Sequence, residues 1–157
     1  MEDLIEATVQ SSPVSSILEP LVAQRIKFIK HDFFQPQPKD IAASADIFLL
    51  RKILHDWSFE NAKLILQNLA AAMKPGAKII IMESILPSPG SMPLLGEAKL
   101  RVQDLIMAEN FNSSERELND WTRLFKSTVP RLRLKNVKQP TGSSMAIMEI
   151  VKYDREK

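Results

Sequence analysis

The chain has 157 residues, 45% of them hydrophobic, and 21 basic against 19 acidic side chains leave a net charge of +2. That composition excludes a disordered polyelectrolyte, and the length sets the expectation of one globular domain over residues 1–157. With no cysteine there is neither a disulfide framework nor a thiolate metal site, which fits a reducing compartment.

The opening "MEDLIEATVQSS" lacks the basic flank and apolar stretch of a signal peptide, and no segment reaches the roughly 20 apolar residues of a membrane helix. A cytoplasmic protein that makes no use of a membrane is the resulting expectation. "RIKFIKHDFF" alternates through Ile26, Phe28 and Ile29 and predicts a short strand ending near His31, after which Pro36 and Pro38 enforce a loop. "DIFLLRKIL", residues 46–54, is nearly continuous in apolar residues, as in a parallel strand covered on both faces. Ser58 then caps a helix whose stripe runs through Ala62, Leu66, Leu69 and Met73, and Pro75 and Gly76 end it in a turn. "KIIIMESIL", residues 78–86, repeats the buried-strand pattern, so strand, helix and strand form an α/β unit with a right-handed crossover.

The Pro/Gly/Ser loop "LPSPGSMP" leads to a helix over about residues 96–107. A second helix is predicted from Ser114, because "SSERE" offers a serine cap with Glu117 three residues on. Leu118, Trp121, Leu124 and Phe125 would form its core face. "RLRLKNVKQP", a turn at "PTGS" and "SMAIMEIVKYD" read as an antiparallel pair closing the sheet. The basic residues of 131–138 alternate with Leu132, Leu134 and Val137, which favours the solvated face of a strand over a nucleic-acid surface.

In open α/β sheets ligands bind beyond the carboxyl ends of the strands. Asp3, Asp32, His55 with Asp56, and Glu83 all follow predicted strands, so parallel strands would bring them to one rim. Each has a bland alternative: a frayed terminus for Asp3, a loop cap for Asp32, a helix-terminal charge for Asp56 and a solvated edge residue for Glu83. A strand-end histidine is commonly a packed residue satisfied by one hydrogen bond. Its pKa near 6.5 nevertheless suits proton transfer at neutral pH, and Glu83 is a candidate to orient the ring.

"HDFFQPQP", "LLRKILHDWS", "MKPGAKIIIMESILP" and "NSSERELNDW", in this order and spacing, resemble the S-adenosylmethionine-dependent O-methyltransferases of plants and fungi, with the fungal branch acting on polyketide phenols closest. The resemblance runs over nearly the whole chain. It implies a Rossmann-like class I methyltransferase sheet, S-adenosylmethionine as methyl donor, no metal, a small phenolic or polyketide acceptor, no nucleic-acid or membrane partner, and a homodimer in the full-length form. It also implies that His55 is the base taking the hydroxyl proton, held by Glu83 and by Glu115, where "SERE" stands in place of the family's "KER". On the cofactor side it points to Asp3, where "EDLI" departs from the family's "DLP", to Asp32 and Phe33 near the adenine, and to Arg51 near the methionine moiety. Met107 falls where the family lines its acceptor pocket, although a helical methionine is also ordinary core.

The four glycines, Gly76, Gly90, Gly96 and Gly142, form no glycine-x-glycine pattern. Measured against the family, the chain therefore looks like a carboxyl-terminal portion lacking the dimerisation domain, the first strand and the glycine-rich loop. The expected consequence is a partial sheet built on residues 46–54, 78–86, 131–138 and 144–153, with an apolar edge at 46–54 and a loosely held amino-terminal third. An inactive remnant that acts as an interaction module with a related methyltransferase is the alternative to an enzyme.

Overall fold

The computed structural model describes residues 25–153, and the chain divides into two units, Met1–Asp32 and Phe33–Lys157. Residues 26–31 have no regular secondary structure, so the strand expected there is not formed. Ile26, Phe28 and Ile29 remain exposed. Alternation makes a strand only where a neighbouring strand takes up the backbone hydrogen bonds, and this segment lies in no sheet. The amino-terminal third expected to be loosely held lies mostly outside the described residues.

The second unit runs α1 (Lys39–Ser44), β1 (Ile47–Arg51), a 3₁₀ turn (Leu54–Asp56), α2 (Phe59–Ala72), β2 (Lys78–Glu83), β3 (Ile85–Leu86), α3 (Leu94–Phe111), β4 (Arg116–Glu117), α4 (Leu118–Ser127), β5 (Leu132–Lys138) and β6 (Ala146–Lys152). Four strands form a sheet in the order β1-β2-β6-β5. β1 and β2 are parallel, as a strand-helix-strand crossover demands. β6 is antiparallel to both β2 and β5, matching the closing pair read from the sequence.

The core lies between one face of this sheet and helices α2 and α4. Ser58 Oγ accepts the Asn61 N–H at 3.4 Å at the start of α2, and Ala62, Ile65, Leu66, Leu69 and Ala70 turn inward. They meet Phe48, Ile79, Ile81, Met148 and Ile150 from the strands and Trp121, Leu124 and Phe125 from α4. Each large apolar side chain buried in this way contributes roughly 1.5–3 kcal/mol. Leu118, expected on the same face of α4, stays exposed.

Three boundaries differ from the sequence reading, and all three lie around one site. The 46–54 strand stops at Arg51, where Lys52 takes a left-handed φ of 51° and the chain swings into the 3₁₀ turn. The 78–86 strand breaks after Glu83, and Ile85 and Leu86 pair instead with Arg116 and Glu117 in a separate two-stranded sheet. That pairing holds residues 116–117 extended, so α4 starts at Leu118 and not at Ser114. β1 is also covered on one face only: Phe48 is buried, whereas Ile47 and Leu49 are 61% and 60% exposed. Among the described residues β1 pairs with β2 alone, so the expected apolar edge is present there.

Candidate active site

The carboxyl ends of β1 and β2 and the start of β4 converge on the turn that carries His55. Lys52 makes the last ladder bond, its N–H to the Met82 carbonyl at 3.1 Å. The next two N–H groups, of Ile53 and Leu54, have left the ladder and donate to Glu83 Oε1, each at 2.9 Å. Arg116 donates from Nη1 to the Leu54 carbonyl at 2.8 Å and from Nη2 to the Trp57 carbonyl at 2.6 Å. The single proton of Ser113 Oγ is shared between the carbonyls of His55 and Trp57. Side chains from β2, β4 and the segment before β4 therefore satisfy the turn's backbone in place of a sheet or long helix.

His55 itself is buried. Its Nδ1 lies 3.0 Å from Glu115 Oε1 and its Nε2 3.3 Å from Asp56 Oδ1. Glu115 is in turn held by α3: Gln103 Nε2 donates to Oε1 at 2.6 Å, and Asp104 Oδ1 accepts the Glu115 N–H at 2.8 Å. A carboxylate is acceptor-only, so Nδ1 is the donor in this pair and the Nε2 lone pair of the neutral ring points away from Glu115. Glu83, expected as an orienting carboxylate for the ring, does not take that part. The N–H groups of half-buried Ile53 and buried Leu54 would lose their partner without its Oε1, and they claim it.

The electrostatics follow from this packing. The Glu115 hydrogen bond raises the pKa of His55 above its ordinary 6.5; burial opposes the shift, and the charges of Glu83, Glu115 and Asp56 add to it. Burial raises Glu83, with His55 and the two backbone donors pulling the other way. Arg116, lowered by burial and supported by Glu83, Glu115 and Asp120, also lies over Trp121 with its guanidinium carbon 5.2 Å from the ring centroid.

The other expected residues are more dispersed. Phe33 packs edge-on against Phe34 and Trp57, at 5.0 and 5.6 Å between centroids, and its carbonyl accepts from Asn68. Arg51 ends β1 exposed, in register with Met82. Met107 is buried on α3. Asp32 ends the amino-terminal unit, and Asp3 lies outside the described residues. Arg116, Ser113, Gln103 and Asp104 were missed by sequence reasoning. The signal for Arg116 was its place beside Glu115 in an extended "SERE", which helix-cap logic obscured.

Two cavities border the site. One, of about 640 Å³, is lined by Asp56, Trp57, Ser58, Asn61, Glu109 and Asn110, among others, and so adjoins the carboxylate at Nε2. The other, of about 570 Å³, includes Ile85, Met92, Leu100, Gln103 and Gln139, and adjoins Glu115 through Gln103. Among the described residues no set of three or more His, Cys, Asp or Glu side chains is arranged to hold a metal.

The sequence profile of the O-methyltransferase domain matches residues 5–129. O-methyltransferase VdtC of Byssochlamys spectabilis is 47% identical over 149 residues, which is 95% of this chain and 34% of VdtC. The crystal structure of TnmH superposes with a TM-score of 0.75 at 27% identity, over 88% of this chain and 38% of that one. CalO1, a methyltransferase in calicheamicin biosynthesis solved with SAH bound, superposes with a TM-score of 0.71 at 26% identity, over 87% of this chain and 37% of its own. The chain thus spans little more than a third of each of these three proteins.

Proposed function

The chain belongs to the O-methyltransferase domain family, and on that premise we propose that it carries the proton-accepting half of an S-adenosylmethionine-dependent methyl transfer to a hydroxyl of a small phenolic or polyketide acceptor. The observation that supports this reading is the buried His55, its Nδ1 bonded to Glu115 and its Nε2 3.3 Å from Asp56, which lines the 640 Å³ cavity. A phenol of pKa about 10 is a weak nucleophile near neutrality. His55 Nε2 takes the hydroxyl proton as the oxygen–carbon bond forms and the carbon–sulfur bond breaks, so the oxygen bears full charge at no point. Glu115 keeps the ring in the required tautomer, while Glu83, Arg116 and Ser113 hold the turn's backbone still.

S-adenosylmethionine, when bound, supplies a methyl group already activated on a sulfonium. Of the residues assigned to it, Phe33 offers an aromatic face for the adenine and Arg51 a cation for the carboxylate of the methionine moiety; Asp32 and Asp3 are assigned to the same ligand. Met107 is assigned to the acceptor side. No helix among the described residues is long and apolar enough to cross a membrane, and the cytoplasm is the proposed compartment. The exposed Leu94, Leu95, Val102 and Leu105 on α3 support a homodimer in the full-length form.

In a methyltransferase carrying this segment, His55→Gln is expected to lower turnover by about 10²-fold or more, the scale of general-base catalysis. A rate unchanged by that substitution would remove His55 from the mechanism.

A further inference from the structure

Among the described residues Glu115 makes all its side-chain hydrogen bonds through one atom. Oε1 meets both His55 Nδ1 at 3.0 Å and Gln103 Nε2 at 2.6 Å, while Oε2 is buried without a partner among the described residues. Only the nitrogen of a primary amide can face a carboxylate oxygen so closely, so Gln103 is a donor here. It reaches Glu115 from α3, one residue before Asp104, which holds the Glu115 backbone N–H.

We propose that Gln103 is a positioning residue that holds Glu115 Oε1 in place as the acceptor of the His55 Nδ1 hydrogen and thereby decides which ring nitrogen of His55 carries the proton. The inference rests on the reading of His55 as a base. Without that donor the carboxylate is free to turn Oε1 away from the ring, and the Nδ1 hydrogen loses its fixed acceptor. The neutral ring is then free to carry its hydrogen on Nε2, where Asp56 Oδ1 stands 3.3 Å away as an acceptor, leaving no lone pair for an acceptor hydroxyl. The other charged groups acting on His55 are Asp56 on its own turn and Glu83 from β2, while Arg116 of β4 directs its donors to the carbonyls of Leu54 and Trp57. None of them donates to Glu115 Oε1. Gln103 borders the 570 Å³ cavity, so a change of its side chain has room to be absorbed.

The test is ¹⁵N NMR of the imidazoles in the 157-residue chain. His31 and His55 are its only histidines, and His31→Gln assigns the signals. In the parent chain the neutral His55 ring should show a protonated Nδ1 and an unprotonated Nε2. In Gln103→Met, similar in size but without a donor, and in Gln103→Glu, which replaces the donor by an acceptor, the Nε2–H fraction should rise about tenfold, the scale of one charge-assisted hydrogen bond. Unchanged ¹⁵N shifts in either variant, with amide dispersion showing it folded, would overturn the proposal. The readout needs no turnover, so it is separate from the His55→Gln rate test: a shifted tautomer with no rate effect of His55→Gln would sink the base and leave Gln103 in place.

Discussion

Asp56 Oδ1 stands 3.3 Å from His55 Nε2, on the ring nitrogen opposite the one that Glu115 holds. A neutral ring turns its lone pair toward that carboxylate, while an imidazolium turns a donor toward it. Asp56 therefore favours the protonated ring, in line with the raised pKa of His55. Activity that needs the neutral base should accordingly rise with pH along a limb centred above 6.5. Asp56→Asn should move that limb toward lower pH, because one of the raising charges is gone, and a pH–rate profile of a methyltransferase carrying the segment checks both statements. The same shift has a stability consequence. A raised pKa in the folded state means the His55 contribution is complete below the unfolded pKa and is lost as pH rises through the folded one.

Glu83 holds the turn through its backbone, and its two available substitutions should separate sharply. Glu83→Gln retains an acceptor oxygen for the N–H groups of Ile53 and Leu54, and should cost no more than about 1 kcal/mol. Glu83→Ala leaves the buried Leu54 N–H unpaired, at roughly 1–3 kcal/mol, and the half-buried Ile53 N–H unpaired at a smaller cost. Urea denaturation of the two variants at one pH measures the difference; equal midpoints would mean that water reaches the turn. The unfolding free energy contributed by Glu83 itself should fall as pH rises through its raised pKa, since burial penalises the ionised form.

Much of this was legible in the sequence because hydrophobic period reports burial. The strands at 46–54, 78–86, 131–138 and 144–153, the Ser58 cap and the stripe of α2 all follow from local pattern. The errors fall where long-range polar contacts override local preference. Residues 114–117 carry a helix-start signal, yet Glu115 is drawn to His55 and Arg116 to the carbonyls of Leu54 and Trp57, sixty residues away, which keeps the segment extended. Lys52 adopts a left-handed conformation that no lysine prefers, and its place between β1 and a turn doubly bonded to Glu83 determines it. His55 and Glu83 could be named from strand ends; Gln103 and Ser113 could not, because nothing local marks a polar residue whose partner lies in a distant turn.

Arg116 is a buried cation whose two donor nitrogens reach two different carbonyls while its guanidinium carbon lies over the Trp121 ring. Lysine is a single point donor and cannot reproduce that fork or that ring contact. Arg116→Lys should therefore destabilise the fold clearly, and Arg116→Met more, by about 3–5 kcal/mol, because it leaves Glu83 and Glu115 buried without their compensating charge. Thermal or denaturant unfolding measures this. A neutral Arg116→Met result would mean that the carboxylates take up protons instead, and that alternative would show as a stability gap widening with pH.

S-adenosylhomocysteine titrated calorimetrically into the 157-residue chain should bind more weakly than about 100 μM, a free energy short of roughly −5.5 kcal/mol. Phe33 is engaged edge-on with Phe34 and Trp57, so only part of its face is open to an adenine. Arg51 stands exposed at the end of β1, where its charge is screened by solvent. The sequence offers no glycine-x-glycine loop to bring backbone N–H groups against the ligand, and little or no methyl transfer by this chain alone follows from the same reasoning. Saturable micromolar binding would mean that the chain holds the ligand without such a loop, and robust turnover would mean that the acceptor reaches His55 Nε2 with the donor already in line.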